Sequence, residues 1–283
     1  AYSSNHRFIN EVSKKFNKEE VRNYIKSLPL LKRPLLDHQE KSSYHLYKAE
    51  SAANFSVPGS GKTSVVLSYY KKLKDENKVD GIFVIGPKVC FESWNNEFKL
   101  TLGYDPNITK LSPPLTLKKR DKFYNSHLKS ELVACHFMLV ANDISKLISY
   151  FNSYRFLLVI DEAHNIKKIS GTWASSILSL GKYSKYKVIL TGTPMPNEFR
   201  DFFNYLDFLY GDNQILNAYD KAKIEVLMKN KQNDEAINLL ETKINPFFIR
   251  VTKKDLKLSK PNFNKPIIIK MNPIEEKIYQ AIV

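Results

Sequence analysis

The stretch Ser56-Val57-Pro58-Gly59-Ser60-Gly61-Lys62-Thr63-Ser64 decides how the rest of the chain is read. Before it, Ala52-Ala53-Asn54-Phe55 has the composition of a strand end, and after it Val65-Val66-Leu67 opens a helix. A bound polyphosphate needs close backbone approach, amide donors at a helix N-terminus and one mobile cation. Gly59 and Gly61 permit the approach, and Lys62 is the cation. Thr63 adds the hydroxyl that Mg²⁺ requires. The stretch therefore reads as a phosphate-binding loop in which Pro58 to Ser64 line the ligand. The usual pattern opens with Gly or Ala six residues before the lysine. Here Ser56 stands there, small enough to make the same turn. Taken alone, the stretch is also compatible with a Gly/Ser-rich turn that happens to carry Lys-Thr, so the remainder of the chain has to decide.

Working outward, short apolar runs recur with helical spacing between them. Gly81-Ile82-Phe83-Val84-Ile85 closes on Gly86-Pro87, and Phe156 to Ile160 and Lys187 to Leu190 have the same character. Such runs, closed by turn residues or acids, mark strands buried on both faces. Phe137 to Ala141 reads as a further one and Asn107 to Ser112 as a weak one. Residues 88–98 read as a helix carrying Trp94 and Phe98. Alternation of strand and helix predicts an α/β fold, a central and mostly parallel sheet with helices on both faces.

The flanks are helical. Val21, Tyr24, Ile25 and Leu28 share one helical face that ends at Pro29, and a mixed helix follows from Leu35 to Tyr47. Beyond residue 198, Phe199, Phe202, Phe203, Leu206, Leu209 and Tyr210 form an apolar stripe. Residues 220–243 continue as a Lys/Asn-rich helix. Phe247 to Arg250 and Pro266 to Ile269 are short extended segments, and Ile274 to Val283 is a final helix. The organisation expected is a helical extension over 1–30, a nucleotide-binding lobe over 31–198, and a helical protrusion with a return segment over 199–283.

Composition bounds the rest. The 283 residues are 43% hydrophobic and 26% charged, the balance of a globular protein with a sizeable core. No apolar run approaches the ~18 to 20 residues of a membrane span, and a cytosolic location is expected. Cys90 and Cys135 sit in apolar segments without metal-ligand spacing, which points to core packing rather than to disulfide or zinc. The formal charge of +15 favours a polyanionic partner. Its lysines are nevertheless spread along the chain, and the cluster Lys118-Lys119-Arg120 reads as a solvated face.

Chemistry enters at two further strand ends. The run 156–160 leads into Asp161-Glu162-Ala163-His164, and 187–190 leads into Thr191-Gly192-Thr193-Pro194. In an open α/β sheet the ligand crevice lies at the carboxyl ends of the strands, so these blocks face the same edge as the phosphate loop. Asp161 can hold Mg²⁺ through its water shell, and Glu162 can activate the water that attacks a γ-phosphate. An acid pair there also suits a helix N-cap. Recurrence of all three blocks, in this order on successive strand ends, favours the phosphate chemistry.

The ordered set Gly-Ser-Gly-Lys-Thr, Asp-Glu-Ala-His and Thr-Gly-Thr-Pro resembles superfamily 2 helicases and translocases. Pro87 with Trp94-Asn95-Asn96-Glu97, Asp161 to Lys167, Leu190 to Asn197, Pro246 to Asp255 and Met271 to Tyr279 narrow the resemblance to the Swi/Snf-type branch, over roughly residues 33–283. The resemblance implies a RecA-like fold, with Gln39 at the adenine, Lys62 on the β- and γ-phosphates of ATP, and Thr63 and Asp161 on Mg²⁺. Glu162 would be the catalytic base. His164, Thr191, Gly192 and Thr193 would couple the γ-phosphate to movement, and Pro87, Lys88 and Asn142 would touch the backbone of double-stranded DNA. Two departures are Ser56-Val57-Pro58, where the family often has acids and Met, and Leu36, where it usually has Arg. No Gly-Arg pair occurs and no strand-helix alternation follows residue 200, so a second RecA-like lobe with its arginine fingers is expected outside this chain. Since such fingers supply ~10³ to 10⁵ in rate, the lobe alone should turn over slowly. The function expected is the first motor lobe of a double-stranded DNA translocase. A strand-separating helicase and a nucleotide-gated binding module with vestigial catalysis remain as alternatives.

Overall fold

The structure is a computed structural model and describes residues 17–125, 130–164, 172–192, 200–244, 247–257 and 269–282. Strands β1 (Ser51–Asn54), β2 (Gly81–Gly86), β3 (Ile108–Leu111), β4 (Leu132–His136), β5 (Phe156–Ile160), β6 (Tyr186–Leu190) and β7 (Phe248–Ile249) form one sheet in the order β3-β4-β2-β5-β6-β1-β7. Every pairing is parallel. The side-chain alternation along each strand sorts the interior into two cores. Phe83, Ile85, Leu158, Ile160 and Ile189 face one side, where Phe151, Ile177, Phe202 and Leu206 cover them. Ile82, Val84, Leu157, Val159 and Val188 face the other, under Leu46, Val66, Tyr70, Trp94 and Phe98. Burial on both faces explains why these strands are unbroken apolar runs in the sequence.

Register sets up the site. Ile85 lies beside both Ile160 and Cys135, Ile160 beside Ile189, and Asn54 beside Leu190. Strands β1, β2, β4, β5 and β6 thus end at one level, so Ser56, Pro87, Asp161 and Thr191 all emerge at the carboxyl edge.

Three expectations are corrected. The strand expected at 137–141 is Leu132–His136, and Phe137–Asn142 is a short helix whose first turn is capped by His136 Nδ1, 3.3 Å from the Met138 amide. Residues 132–141 are apolar on both sides of His136, and apolarity alone does not separate buried strand from buried helix. The single helix expected over 220–243 is two, Ala218–Lys229 and Asn233–Ile244, separated where Lys231 takes φ +60°. The basic cluster is also not uniformly solvated. Lys118 and Lys119 are exposed, but Arg120 turns inward to the buried Asp143, with Nε 2.6 Å from Oδ2 and Nη2 3.2 Å from Oδ1.

At the N-terminal side, helix Lys18–Lys26 buries Tyr24 against Tyr44 and Tyr47 of helix Asp37–Ala49. Helices Arg200–Tyr210, Ala218–Lys229 and Asn233–Ile244 place Phe202, Leu206, Ile224 and Leu240 in the same core as Ile189, and β7 then adds to the sheet beside β1. Phe199 of the expected stripe and residues 266–268 of the expected extended segment lie outside the described residues. The chain divides into two compact units after Thr252. Within the second, helix Pro273–Ile282 is capped by Asn272, whose Oδ1 accepts from the Ile274 and Glu275 amides at 2.9 Å.

Candidate nucleotide site

The turn from β1 into helix Lys62–Asp75 is built for an anion. Gly59 and Gly61 both take positive φ, +80° and +78°. At Gly61 the left-handed backbone strains any L side chain, and a Cβ there would also lie 2.1 Å from Gln39 Nε2 and displace that amide. The helix has no capping side chain and no acid in its first turn, so its amides and the positive end of its dipole stay available. Ser60 Oγ is buried without a hydrogen-bond partner, a cost of ~1 to 3 kcal/mol that a rearranged, ligand-filled loop would relieve.

Lys62 Nζ donates to the Ser56 carbonyl at 3.0 Å and the Val57 carbonyl at 3.4 Å, folding back on its own loop. Burial lowers its pKa, while Glu162 and Asp161 act in the opposite sense. The cation is thus partly desolvated and held beside two carboxylates across a cleft of about 680 Å³, within the ~300 to 1,000 Å³ of small-molecule sites. Pro58, Gly59, Gly61, Lys62, Thr63, Ser64, Asp161 and Glu162 line that cleft, together with Gln39.

Asp161 follows β5 directly, its amide bonded to the Ile85 carbonyl at 2.8 Å. Its Oδ1 accepts from the Glu162 amide at 2.9 Å and its Oδ2 from Trp94 Nε1 at 2.8 Å. Glu162 has φ +50°, a left-handed conformation that a non-glycine residue adopts at a cost of ~1 to 3 kcal/mol and that concentrates at functional sites. Glu162 Oε2 lies 3.1 Å from His164 Nδ1, which is also 3.4 Å from the hydroxyl of the buried Thr191. The second and third sequence blocks therefore touch through one imidazole. The third also meets the first, since a Cβ on Gly192 would lie 3.0 Å from Pro58 Cδ.

Against the expected site residues, Lys62, Thr63, Asp161 and Glu162 come together in the cleft. Gln39 is there too, but its amide is engaged: Oε1 accepts from the Leu36 amide at 3.0 Å and Nε2 donates to the Ser60 carbonyl at 3.2 Å. One amide hydrogen and one lone pair remain for a base. Ser64 Oγ is taken up by Glu97 and Arg33. Lys88 is exposed in the turn after β2, whereas Asn142 is the exposed last residue of the short helix after β4. Thr193 lies outside the described residues.

Sequence reasoning missed Arg33 and Glu97, which pair on the cleft wall and share Thr101, 3.2 Å from Arg33 Nη2. The absent arginine at Leu36 was the available signal, because Arg33 brings a guanidinium into the cleft from three residues earlier. Cys90 packs against the core as expected and also forms part of the cleft wall, its thiol pushed up by burial and then by Asp161. Ser56 has a role of its own. Its Oγ accepts from the Val251 amide at 3.0 Å, between Phe55 N to Ile249 O at 2.8 Å and Val57 N to Val251 O at 3.0 Å. The ladder beside β7 thus runs on into the loop.

A family model described as the SNF2-related domain matches residues 55–283. The chain belongs to this family. Among its SNF2 relatives are the ISWI chromatin-remodeling complex ATPase ISW2 of Saccharomyces cerevisiae, 26% identical over 79% of this chain and 20% of the relative. Another is an uncharacterized ATP-dependent helicase of Mycoplasma pneumoniae, 29% identical over 78% of this chain and 20% of the relative. The chain thus spans about a fifth of their length. In structure it resembles the Sulfolobus solfataricus SWI2/SNF2 ATPase core in complex with dsDNA, with a TM-score of 0.66 at 23% identity over 81% of this chain and 46% of that one. The RecA-like fold expected from the sequence is therefore the SNF2 fold, and the chain carries a SNF2-family ATPase domain of the type found in chromatin remodelers and repair helicases.

The residues fit a magnesium nucleotide. The glycine cradle, the acid-free helix start and Lys62 suit the phosphates. Thr63 and Asp161 supply oxygen ligands of the kind magnesium prefers.

Proposed function

We propose that this chain is the nucleotide-binding lobe of an ATP-driven motor that moves along double-stranded DNA without separating its strands. The observation that carries the reading is the convergence of Lys62, Thr63, Asp161 and Glu162 in one cleft, with His164 joining Glu162 to Thr191.

Lys62 would leave the Ser56 and Val57 carbonyls for the β- and γ-phosphates, exchanging neutral acceptors for charged ones. Thr63 and Asp161 would hold magnesium, which when bound neutralises phosphate charge. Glu162 orients and deprotonates the attacking water. His164 registers the state of Glu162 and passes it to Thr191, the residue after β6, the strand next to β1. Lys88, exposed at the same edge, supplies a phosphate contact that carries no base information. Support for a DNA partner comes from the formal charge of +15 and from the DNA-bound core that shares this fold.

The test is Glu162→Gln in the protein, which should keep magnesium-ATP affinity and lower duplex-stimulated hydrolysis by ~10² to 10⁴. Undiminished hydrolysis removes Glu162 as the base. Displacement of a third strand from a triplex, without unwinding of a forked duplex, is the expected motor readout, and efficient unwinding would instead establish a helicase.

A further inference from the structure

Trp94 is fully buried in helix Cys90–Leu102, in the core on the side of Val84 and Val159. Burying an indole leaves one polar atom to satisfy, its Nε1–H. The acceptor here is Oδ2 of Asp161, at 2.8 Å. Asp161 is held at two other points, its own amide on Ile85 O and its Oδ1 under the Glu162 amide, at 2.8 and 2.9 Å. A carboxylate offers about four lone-pair sites. The indole takes one on Oδ2 and the Glu162 amide one on Oδ1, the Cys90 thiol adjoins the same carboxylate, and the group lines the cleft.

The kind of donor matters as much as the contact. Arg or Lys at this place would neutralise the carboxylate and compete with a cation for it. The indole fixes the plane of the group and leaves its full charge in place. We propose that Trp94 is a positioning residue for Asp161, setting the rotation of the carboxylate that faces the magnesium nucleotide. The proposal rests on the reading of the site given above.

Trp94→Phe keeps a large ring and removes the donor. Titrating magnesium against binding of a fluorescent ATP analogue should show affinity in EDTA within about twofold of wild type and a half-saturating magnesium concentration raised about 3- to 10-fold, the scale of one ordinary net hydrogen bond. An unchanged magnesium dependence alongside a lowered melting temperature overturns the proposal and leaves Trp94 as packing only. Should that variant not fold, the indole resonance answers the same question. The chain has two tryptophans, so Trp173→Phe leaves Trp94 alone in the spectrum. ATP with magnesium is expected to shift its Nε1–H resonance, and ATP with EDTA to leave it in place. Identical spectra under the two conditions overturn the proposal. Nucleotide affinity that is the same in wild type and Lys62→Ala is a separate failure, because it overturns the site itself.

Discussion

Two lysines at opposite edges of the sheet, Lys62 half-buried and Lys187 buried, show what separates a cost from a use. Lys62 begins a helix at the carboxyl edge, and Lys187 is the second residue of β6, beside Ser51 and Leu158 near the amino edge. Burial lowers the pKa of both. Around Lys62 stand two carboxylates, two carbonyls and an open cleft. Lys187 has the Phe208 ring 5.9 Å from its ammonium, and burial takes it to about 8. The same desolvation thus yields a ligand-ready cation where opposite charge and space adjoin it. Under helices and aromatic rings it remains a penalty.

Identical substitutions break or sharpen this contrast. Lys62→Met should lower magnesium-ATP affinity by ~10²-fold or more by calorimetry, the loss of a charge-assisted pair in a partly desolvated site. Lys187→Met should leave that affinity unchanged and raise unfolding stability at pH 7 by ~1 to 3 kcal/mol in denaturant titrations. Matching outcomes at the two positions would erase the distinction between the edges.

A pH series sharpens it further. Because the folded pKa of Lys187 lies below its ordinary 10.5, the unfolded chain binds more protons between about pH 8 and 10.5. The penalty is complete below pH 8 and fades as pH rises. Its contribution to wild-type stability should therefore climb across that window by up to ~3 kcal/mol. In Lys187→Met the climb is absent. The smallest effect belongs to Ser56→Ala, expected to cost ~1 kcal/mol by leaving the buried Val251 amide without its acceptor, and read as faster hydrogen exchange at Val251.

What the sequence disclosed follows physical range. β2, β5 and β6 were legible because each apolar run is closed by a glycine-proline turn, an acid pair or a threonine-glycine turn. β4 was misplaced because an equally apolar run, that of a buried helix, follows it directly after His136. The carboxyl-edge residues were legible as blocks, since phosphate chemistry constrains neighbours along the chain. Partners brought in from afar were not. Nothing local announces that Arg120 turns onto Asp143, that Gln39 donates its amide to Ser60, or that Trp94 donates to Asp161.

The ladder beside β7 has a practical corollary for dissecting the molecule. Residues 248–251 supply backbone partners to Phe55 and Val57, and Ser56 answers with its hydroxyl across 195 positions. A fragment trimmed after the third of the sequence blocks would keep every phosphate-facing side chain. It would also strip hydrogen bonds from the segment that enters the glycine turn and bare an open strand edge, a surface that invites aggregation. The smallest piece fit for ligand studies thus extends through Val251.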